Sequence, residues 1–440
     1  MAEPASNASE AKRPLPRLLA GLRGDGAVSL AEHQGRVGHL PRLAGPDQRS
    51  AMLGELERSG LRGRGGAGFP VAAKMRAVAG RPAPRAVVVN GSESEPASRK
   101  DRLLMARAPH LVLDGAALAA ELVGATRVLV CVKQSAGSAI EALFDAARER
   151  KDAGLEEVEM SICEVAPDYV AGEESALVHQ LNGGLAKPTF VPPRPFESGV
   201  SGEPTLLQNV ETLAHVALIA RFGAGWFREL GTPDDPGSVL ITVSGAVARP
   251  GVYEVAAGAR VGSLIKAAGR PTEPLQAVLV GGYAGRWYGI ERGLEISMGH
   301  QSLRRVGGTL GPGVVIALPR GACGVAETAA VASYLARESS GQCGPCVHGL
   351  AAIADALTDI ASGRAPPGTR EWVARWSEDV RGRGACHHPD GAARLVSSCL
   401  EVFTEEIDRH ERGRLCVPPP PLQALLPVNG DSPRLVAGVR

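Results

Sequence analysis

Over residues 60–225, short apolar runs alternate with helical stretches, and this alternation restricts the fold more than any other feature of the chain. The runs are AVVVN at 86–90, RVLVCV at 127–132 and VEMSICEV at 158–165. Helical stretches cover about 110–123, 137–152, 174–181 and 211–221. Strands separated by helices of this length pair in parallel through crossovers, so the pattern predicts an α/β domain with a parallel sheet. Cys131 and Cys163 sit inside two of these runs and read as small buried strand residues.

On either side the pattern changes. Residues 1–54 are rich in Gly, Pro and Arg and form a lead-in to a helix near 47–59; the α/β domain is expected over 55–232. From 235 to 320, short β-rich runs separated by Gly and Pro surround one helix near 261–268, a β-grasp-like pattern in which no polar residues converge, so it reads as an assembly module. Four amphipathic segments then predict a helical bundle over 324–415. Residues 416–440, with four prolines at 418–421, read as an extended tail. With 48 basic and 47 acidic residues the net charge is +1, which gives no field for a nucleic-acid partner. No apolar run is long enough to span a bilayer and the opening residues lack a signal-peptide core, so a soluble, cytoplasmic protein without direct membrane insertion is expected.

Five motifs carry chemistry. GLRGRGGAGFPVAAKM, 60–75, places Gly63, Arg64, Gly65, Gly66 and Gly68 in one loop, with Lys74 on a following helix. Glycine permits positive φ and lets bare amides approach a phosphate; a ligand-free Gly-rich loop accounts for the same residues. Asn90, Ser92, Glu93 and Glu95 follow the first strand at its carboxyl end, where open α/β sheets bind ligands. Carboxylates there suit sugar hydroxyls or ring N–H groups, or a solvated acidic loop. Tyr169, Gly172, Glu173 and Glu174 open a helix, and Gln208, Asn209 and Thr212 open another. Their amides and carboxylates suit a heterocycle's edge, and helix capping explains Glu173, Glu174 and Asn209 equally well. Last, GQCGPC supplies Cys343 and Cys346, and Cys386 lies 40 residues on. A C-x2-C turn aims two thiolates at one iron–sulfur or zinc centre; for zinc, His387 or His388 would complete the set.

In this order, GLRGRGGAGFP, ESEP…KDRLLM…PH, GEESA, NVETLA and ESSGQCGPC closely resemble one family from about residue 55 to 412: the flavin-containing, NADH-oxidising 51 kDa or F subunit of respiratory complex I, with related diaphorase subunits of hydrogenases and formate dehydrogenases. The resemblance implies a Rossmann-like FMN-binding domain, a β-grasp (SLBB-like) domain and a C-terminal bundle holding a [4Fe–4S] cluster. Position by position, it lays the flavin phosphate over Arg64, Gly65 and Gly66 of the Gly63–Gly68 loop and over Lys74. It surrounds the ring and ribityl chain with Asn90, Ser92, Glu93, Tyr169, Glu173, Gln208, Asn209 and Thr212, keeps Gly172 among the cofactor-binding residues, and turns Glu95 and Glu174 to NADH or NADPH. In that family hydride passes to the flavin with no side-chain base and electrons leave singly for the cluster, which implies a ferredoxin-like or other iron–sulfur partner here.

The departures from the family pattern are specific. Its first cluster cysteine is Ser340 here, leaving four alternatives: ligation by Ser340, substitution by Cys416 or His388, a three-iron cluster, or none. Two adenine-stacking phenylalanines align with Ala77 and Arg194, and a pocket lysine with Val191. Base–aromatic stacking contributes roughly 1–3 kcal/mol per contact, so weaker NADH binding is expected, with Arg194 able to stack on adenine or bind a 2′-phosphate. An acidic residue beside the flavin is Ser92 here, which predicts a higher flavin potential. The rival readings are a scaffold that has lost its cofactors and a zinc-stapled flavoprotein.

Overall fold

The computed structural model describes residues 15–22, 24–155, 158–416 and 436–437. The start of the lead-in and, beyond Cys416, nearly all of the expected tail lie outside the described residues. Helix α1 (Leu30–Val37) opens with a capping box between Ser29 and Glu32, and α2 (Pro46–Ser59) starts on proline and stops at Gly60. A loop leads to α3 (Val71–Ala79). Then follow β1 (Ala86–Gly91), α4 (Lys100–Arg107), α5 (Pro109–Val123), β2 (Arg127–Lys133), α6 (Gly137–Asp152), β3 (Glu159–Val165), α7 (Glu174–Leu181), β4 (Thr205–Asn209) and α8 (Val210–Arg228).

The four strands pair in parallel in the order β3-β2-β1-β4. Val87, Val88 and Val89 are wholly buried, because helices cover both faces of such a sheet. Two elements escape the sequence pattern. β4 is only five residues, TLLQN, and ends in the polar pair read above as the opening of a helix. α4, KDRLLMAR, buries Lys100, Asp101 and Arg107 along with its leucines, so it shows no apolar stripe. The order of strands reverses between β1 and β4. Asn90 and Asn209 are register partners there, at the carboxyl edge where open sheets form a binding crevice.

A second sheet is built from β5 (Ser238–Gly245), β6 (Gly251–Ala256), β7 (Leu275–Val280), β8 (Arg286–Gly289) and β9 (Val314–Pro319), in the order β6-β5-β9-β7-β8, with the backbone of Val436–Ala437 beside β6. Helices α9 (Val261–Ala267), α10 (Ile290–Glu295) and α11 (His300–Arg305) accompany it. One set of its side chains, including Ile241, Val278 and Val315, packs with Leu264 and Leu303 of these helices. Another, including Leu279, Trp287 and Ile316, shares a core with the C-terminal helices. These are α12 (Gly324–Arg337), a π-helical turn over Pro345–Leu350 continuing into α13 (Ala351–Ala361), then α14 (Thr369–Val380), α15 (His388–Val402) and α16 (Thr404–Glu411). The Trp287 ring N–H donates to Thr328 Oγ1 and its backbone N–H to Ser398 Oγ, both at 3.0 Å, locking sheet and bundle together. Among the described residues no single helix is long and apolar enough to cross a membrane; α4 and α5 together pass on composition but meet at 97°.

Candidate functional site

The glycine loop is tied at its neck and open at its tip. Gly63 N–H donates to Phe69 O at 2.9 Å, and Arg62 pairs with Pro70. Arg64 N–H donates to Thr212 Oγ1 at 2.8 Å, which pins the loop to the start of α8. The Arg64 guanidinium donates to the carbonyls of Ser238 (3.0 Å) and Pro236 (3.5 Å), with Glu211 at 3.8 Å. Arg64 and Thr212 therefore brace the loop instead of offering polar side-chain groups to a ligand. The amides of Gly65, Gly66, Ala67 and Gly68 have no protein partner among the described residues. Gly66 (φ +115°) and Gly68 (φ +65°) hold conformations that side chains disfavour, and a Cβ on Gly68 would lie 2.5 Å from His300 Nδ1. Consecutive free amides on such a turn form an anion-binding concavity.

Gly65, Gly66 and Ala67 line a cleft of about 480 Å³, within the range of small-molecule sites. Asn90 and Asn209 reach it from the switch point, and Ser92, Glu93 and Glu95 from the loop after β1. Tyr169, Gly172 and Glu173 form another wall. The structure corrects the expectation that the β-grasp region contributes no site residues: Ala284, Thr309 and Gly311 face the cleft, and Tyr283 N–H donates to Glu95 Oε2 at 3.0 Å. The bundle closes the remaining side with Leu335, Cys386, His388 and Arg394. The residues from the second sheet and the bundle lie more than 200 positions from the glycine loop in sequence, so these two walls are not legible as parts of the cleft without a structure, whereas the glycine loop, the segment after β1 and the Tyr169–Glu173 segment are.

Several lining groups have internal partners. Glu93 caps α4, accepting from Ser98 Oγ (2.7 Å) and from the amides of Asp101 and Arg102 (both 2.9 Å). Glu173 caps α7 through the amides of Ser175 and Ala176, and Asn209 Oδ1 caps α8 through Glu211 N–H. Capping, left open above for Glu173 and Asn209, is thus what their side chains do. Asn90 Nδ2 donates to Gly172 O at 3.0 Å, and Ser92 Oγ bonds Asn90 Oδ1 at 2.6 Å. Beneath lies a buried ionic group that the sequence reading missed: Lys100 Nζ is 2.7 Å from Asp101 and 2.9 Å from Glu211, and Asn209 Nδ2 donates to Asp101 Oδ2 at 2.6 Å. Lys100 and Asp101 both line the cleft. Despite full desolvation, the two carboxylates raise the Lys100 pKa and keep it charged. The signal available was a Lys–Asp pair opening an apolar segment; its partner Glu211 is remote in sequence.

Glu95 is buried, and desolvation raises it from its ordinary 4.5 to about 7, against hydrogen bonds from the Tyr283 and Ala97 amides and Tyr169. A carboxyl whose pKa is raised by folding contributes stability that is complete below pH 4.5 and lost as pH rises through about 7. The change amounts to about 3 kcal/mol. Glu95→Gln is expected to remove most of this dependence, measured as urea midpoints at about pH 5 and about pH 8; an unchanged slope in the variant would contradict the assignment.

Lys74, Glu174 and Gln208 do not line this cleft. Lys74 Nζ pairs with Glu174 Oε2 at 3.1 Å, and Arg194 Nη1 lies 3.8 Å from Glu174 Oε1. This partly exposed cation–anion–cation row joins α3, α7 and the segment after it. Lys74 is thus a partner of Glu174, where a phosphate contact was expected. Gln208 is buried on β4, and among the described residues its Nε2 has no hydrogen-bond partner. Phe69, at the end of the glycine loop, is 57% exposed and was not singled out from sequence; its exposure beside a Gly-rich turn is the feature that marks it.

Cys343 and Cys346 lie within hydrogen-bonding reach of each other, and Cys386 is near them. Desolvation opposes ionisation of Cys343, but the amides of Ala385 and Cys346 and the Cys346 thiol outweigh it and hold Cys343 below the ordinary thiol range. Burial, then the neighbouring Cys343, pushes Cys346 up to about 12, and Ser340 N–H donates to its sulfur. Cys386 is within electrostatic reach of Cys343 and accepts from His388 N–H. Ser340 is buried beside this group. His388 Nε2 bonds Leu335 O at 2.8 Å and its ring packs on Tyr169. Cys416, proposed above as an alternative ligand, is instead against His410 and Cys323.

Family models match the same three parts of the chain: the Nuo51 FMN-binding domain at 56–218, the SLBB domain at 240–282 and the NADH-ubiquinone oxidoreductase-F iron-sulfur binding region at 326–410. The F subunit of NADH-quinone oxidoreductase in Streptomyces coelicolor is 31% identical over 397 residues, covering 87% of this chain and 88% of the relative. The F 2 subunit of NADH-quinone oxidoreductase in Rhizobium meliloti is 33% identical over 404 residues, covering 88% and 95%. A crystal structure of an NAD+-reducing [NiFe]-hydrogenase in the H2-reduced state contains a chain with 34% identity and a TM-score of 0.78; the match covers 82% of this chain and 63% of that longer one. The fold, the ordered motifs and these relatives agree: the chain belongs to the family of NADH-quinone oxidoreductase F subunits.

Proposed function

We propose that this chain carries electrons from a reduced nicotinamide nucleotide, through FMN in the cleft, to an iron–sulfur centre on Cys343, Cys346 and Cys386, and on to a ferredoxin-like or other iron–sulfur partner in the cytoplasm. The observation that carries this reading is one cleft bounded by the open amides of Gly65–Ala67 on one side and by Cys386 on another. FMN fits the residues present: free amides suit its phosphate, and the orphaned Nε2 of Gln208 is a buried donor on the strand beneath. Three thiols with N–H donors on their sulfurs, and the buried Ser340, suit an iron–sulfur cluster with one oxygen ligand. When bound, FMN supplies the conversion between hydride transfer and single-electron transfer.

The chain's own groups orient and insulate. Asn90, Ser92 and Gly172 form one hydrogen-bonded rim, while Glu93 and Glu173 fix the helix ends that shape the walls. The neutral form of Glu95, favoured by burial, limits negative charge next to electron-rich rings. Lys74 and Arg194, bridged by Glu174, offer cations to the phosphates of the nucleotide, and exposed Phe69 offers a stacking face. A cofactor-free scaffold would explain Ser340, Ala77 and Val191 but leaves the open amides without a purpose.

Anaerobic stopped-flow mixing tests the reading. NADH or NADPH is expected to bleach bound flavin, followed by reduction of the cluster seen by electron paramagnetic resonance. Arg194→Ala is expected to raise the apparent nucleotide Kd about tenfold, the loss of one charge-assisted contact, with the limiting reduction rate unchanged. Flavin that dithionite reduces but neither nucleotide does would contradict the proposal.

A further inference from the structure

A second sulfur–nitrogen group, sharing no residue with the Cys343–Cys346–Cys386 site, joins the start of α12 to the residues just after α16. Cys323 Sγ lies 3.8 Å from His410 Nε2, and Cys416 Sγ lies 3.2 Å from the same nitrogen. One ligand atom from each residue falls within 4.8 Å of the others. A tetrahedral zinc ion with Zn–S near 2.3 Å and Zn–N near 2.0–2.1 Å sets sulfur and nitrogen about 3.6 Å apart. The two observed separations bracket that value.

The surroundings suit a metal ligand set. His410 is buried, and its Nδ1 is 3.3 Å from Ile360 O, which keeps the ring proton on Nδ1 and leaves the Nε2 lone pair facing both thiols. Cys323 caps α12, its sulfur accepting from Ala326 N–H at 3.4 Å. Arg409 Nη2, 4.0 Å from Cys416 Sγ, adds positive charge on the other side. Cys416 N–H donates to His410 Nε2 at 3.1 Å, so metal binding requires that residue to turn; it is partly exposed and precedes Val417 and four prolines.

We propose that Cys323, His410 and Cys416 bind one zinc ion, with water in the fourth position, and that this ion fastens the beginning of the C-terminal tail to the bundle. Two thiolates and an imidazole select zinc over magnesium or calcium. The site owes nothing to the flavin cleft, so its test is independent of electron transfer.

The full chain, purified anaerobically and equilibrated with zinc chloride, is expected to hold one zinc per chain with two sulfur neighbours at about 2.3 Å in its X-ray absorption fine structure. The Cys323→Ser/Cys416→Ser protein should bind zinc at least about a hundredfold more weakly while keeping its flavin and iron. Cys416→Ser alone, at a partly exposed position, should also weaken binding. A Cys343→Ser/Cys346→Ser protein should keep the zinc. The proposal is overturned by no zinc uptake in the wild type, by zinc retained in the first double variant, by its loss from the second, or by a Cys323–Cys416 disulfide in peptide maps of anaerobically alkylated protein.

Discussion

Gly68→Ala protein is expected to emerge from purification nearly colourless, with FMN affinity reduced at least about a hundredfold. Two costs combine. The residue sits at φ +65°, where a side chain costs roughly 1–2 kcal/mol, and its Cβ would be 2.5 Å from Nδ1 and 2.6 Å from Cε1 of the buried His300 ring. Either the ring or the loop must move, and displacing the loop misaligns the adjacent amides. Titration of stripped protein with FMN, read by quenching of flavin fluorescence, checks this. Gly137→Ala is the control, since a Cβ there meets nothing within 4 Å and its φ is not positive. Affinity within a factor of about three of wild type in Gly68→Ala would contradict the role given to the loop.

The second large effect concerns Cys386, which both lines the cleft and belongs to the sulfur site. Cys386→Ala leaves two thiols and Ser340, and such a set is expected to lose nearly all cluster iron. The variant should keep its flavin and still be bleached by nucleotide, while turnover with a one-electron protein acceptor falls at least about a hundredfold. Iron analysis and electron paramagnetic resonance measure the first loss, and steady-state assay the second. Ser340→Cys should act in the opposite sense and retain iron longer in air, because a thiolate is a better soft-metal ligand than a hydroxyl. A full cluster signal in Cys386→Ala would remove Cys386 from the ligand set.

What the sequence discloses depends on whether a role is local or assembled. The runs at 86–90, 127–132 and 158–165 reveal strands because buried parallel strands are continuously apolar, and the glycine loop stands out because its conformation demands glycine. TLLQN does not declare itself a strand, since half of it serves the switch point and not the core. Glu173 and Asn209 invite two readings from sequence, ligand or cap, and Glu93 invites ligand or solvated loop; their hydrogen bonds make all three caps. Lys100 is invisible as a site residue without Glu211, 111 residues away, and Glu95 cannot be seen to be buried without Tyr283 from the second sheet. The Cys323–His410–Cys416 group is likewise a product of chain return, with no spacing signature.

In the function proposed here, the amides from Gly65 to Gly68, unpartnered among the described residues, hold the phosphate of the flavin. Comparing FMN with riboflavin on the same stripped protein addresses it most directly, because the two differ only in that phosphate. FMN is expected to bind at least about a hundredfold more tightly than riboflavin, equivalent to about 2.7 kcal/mol or more from charge-assisted hydrogen bonds. Equal affinities would contradict it.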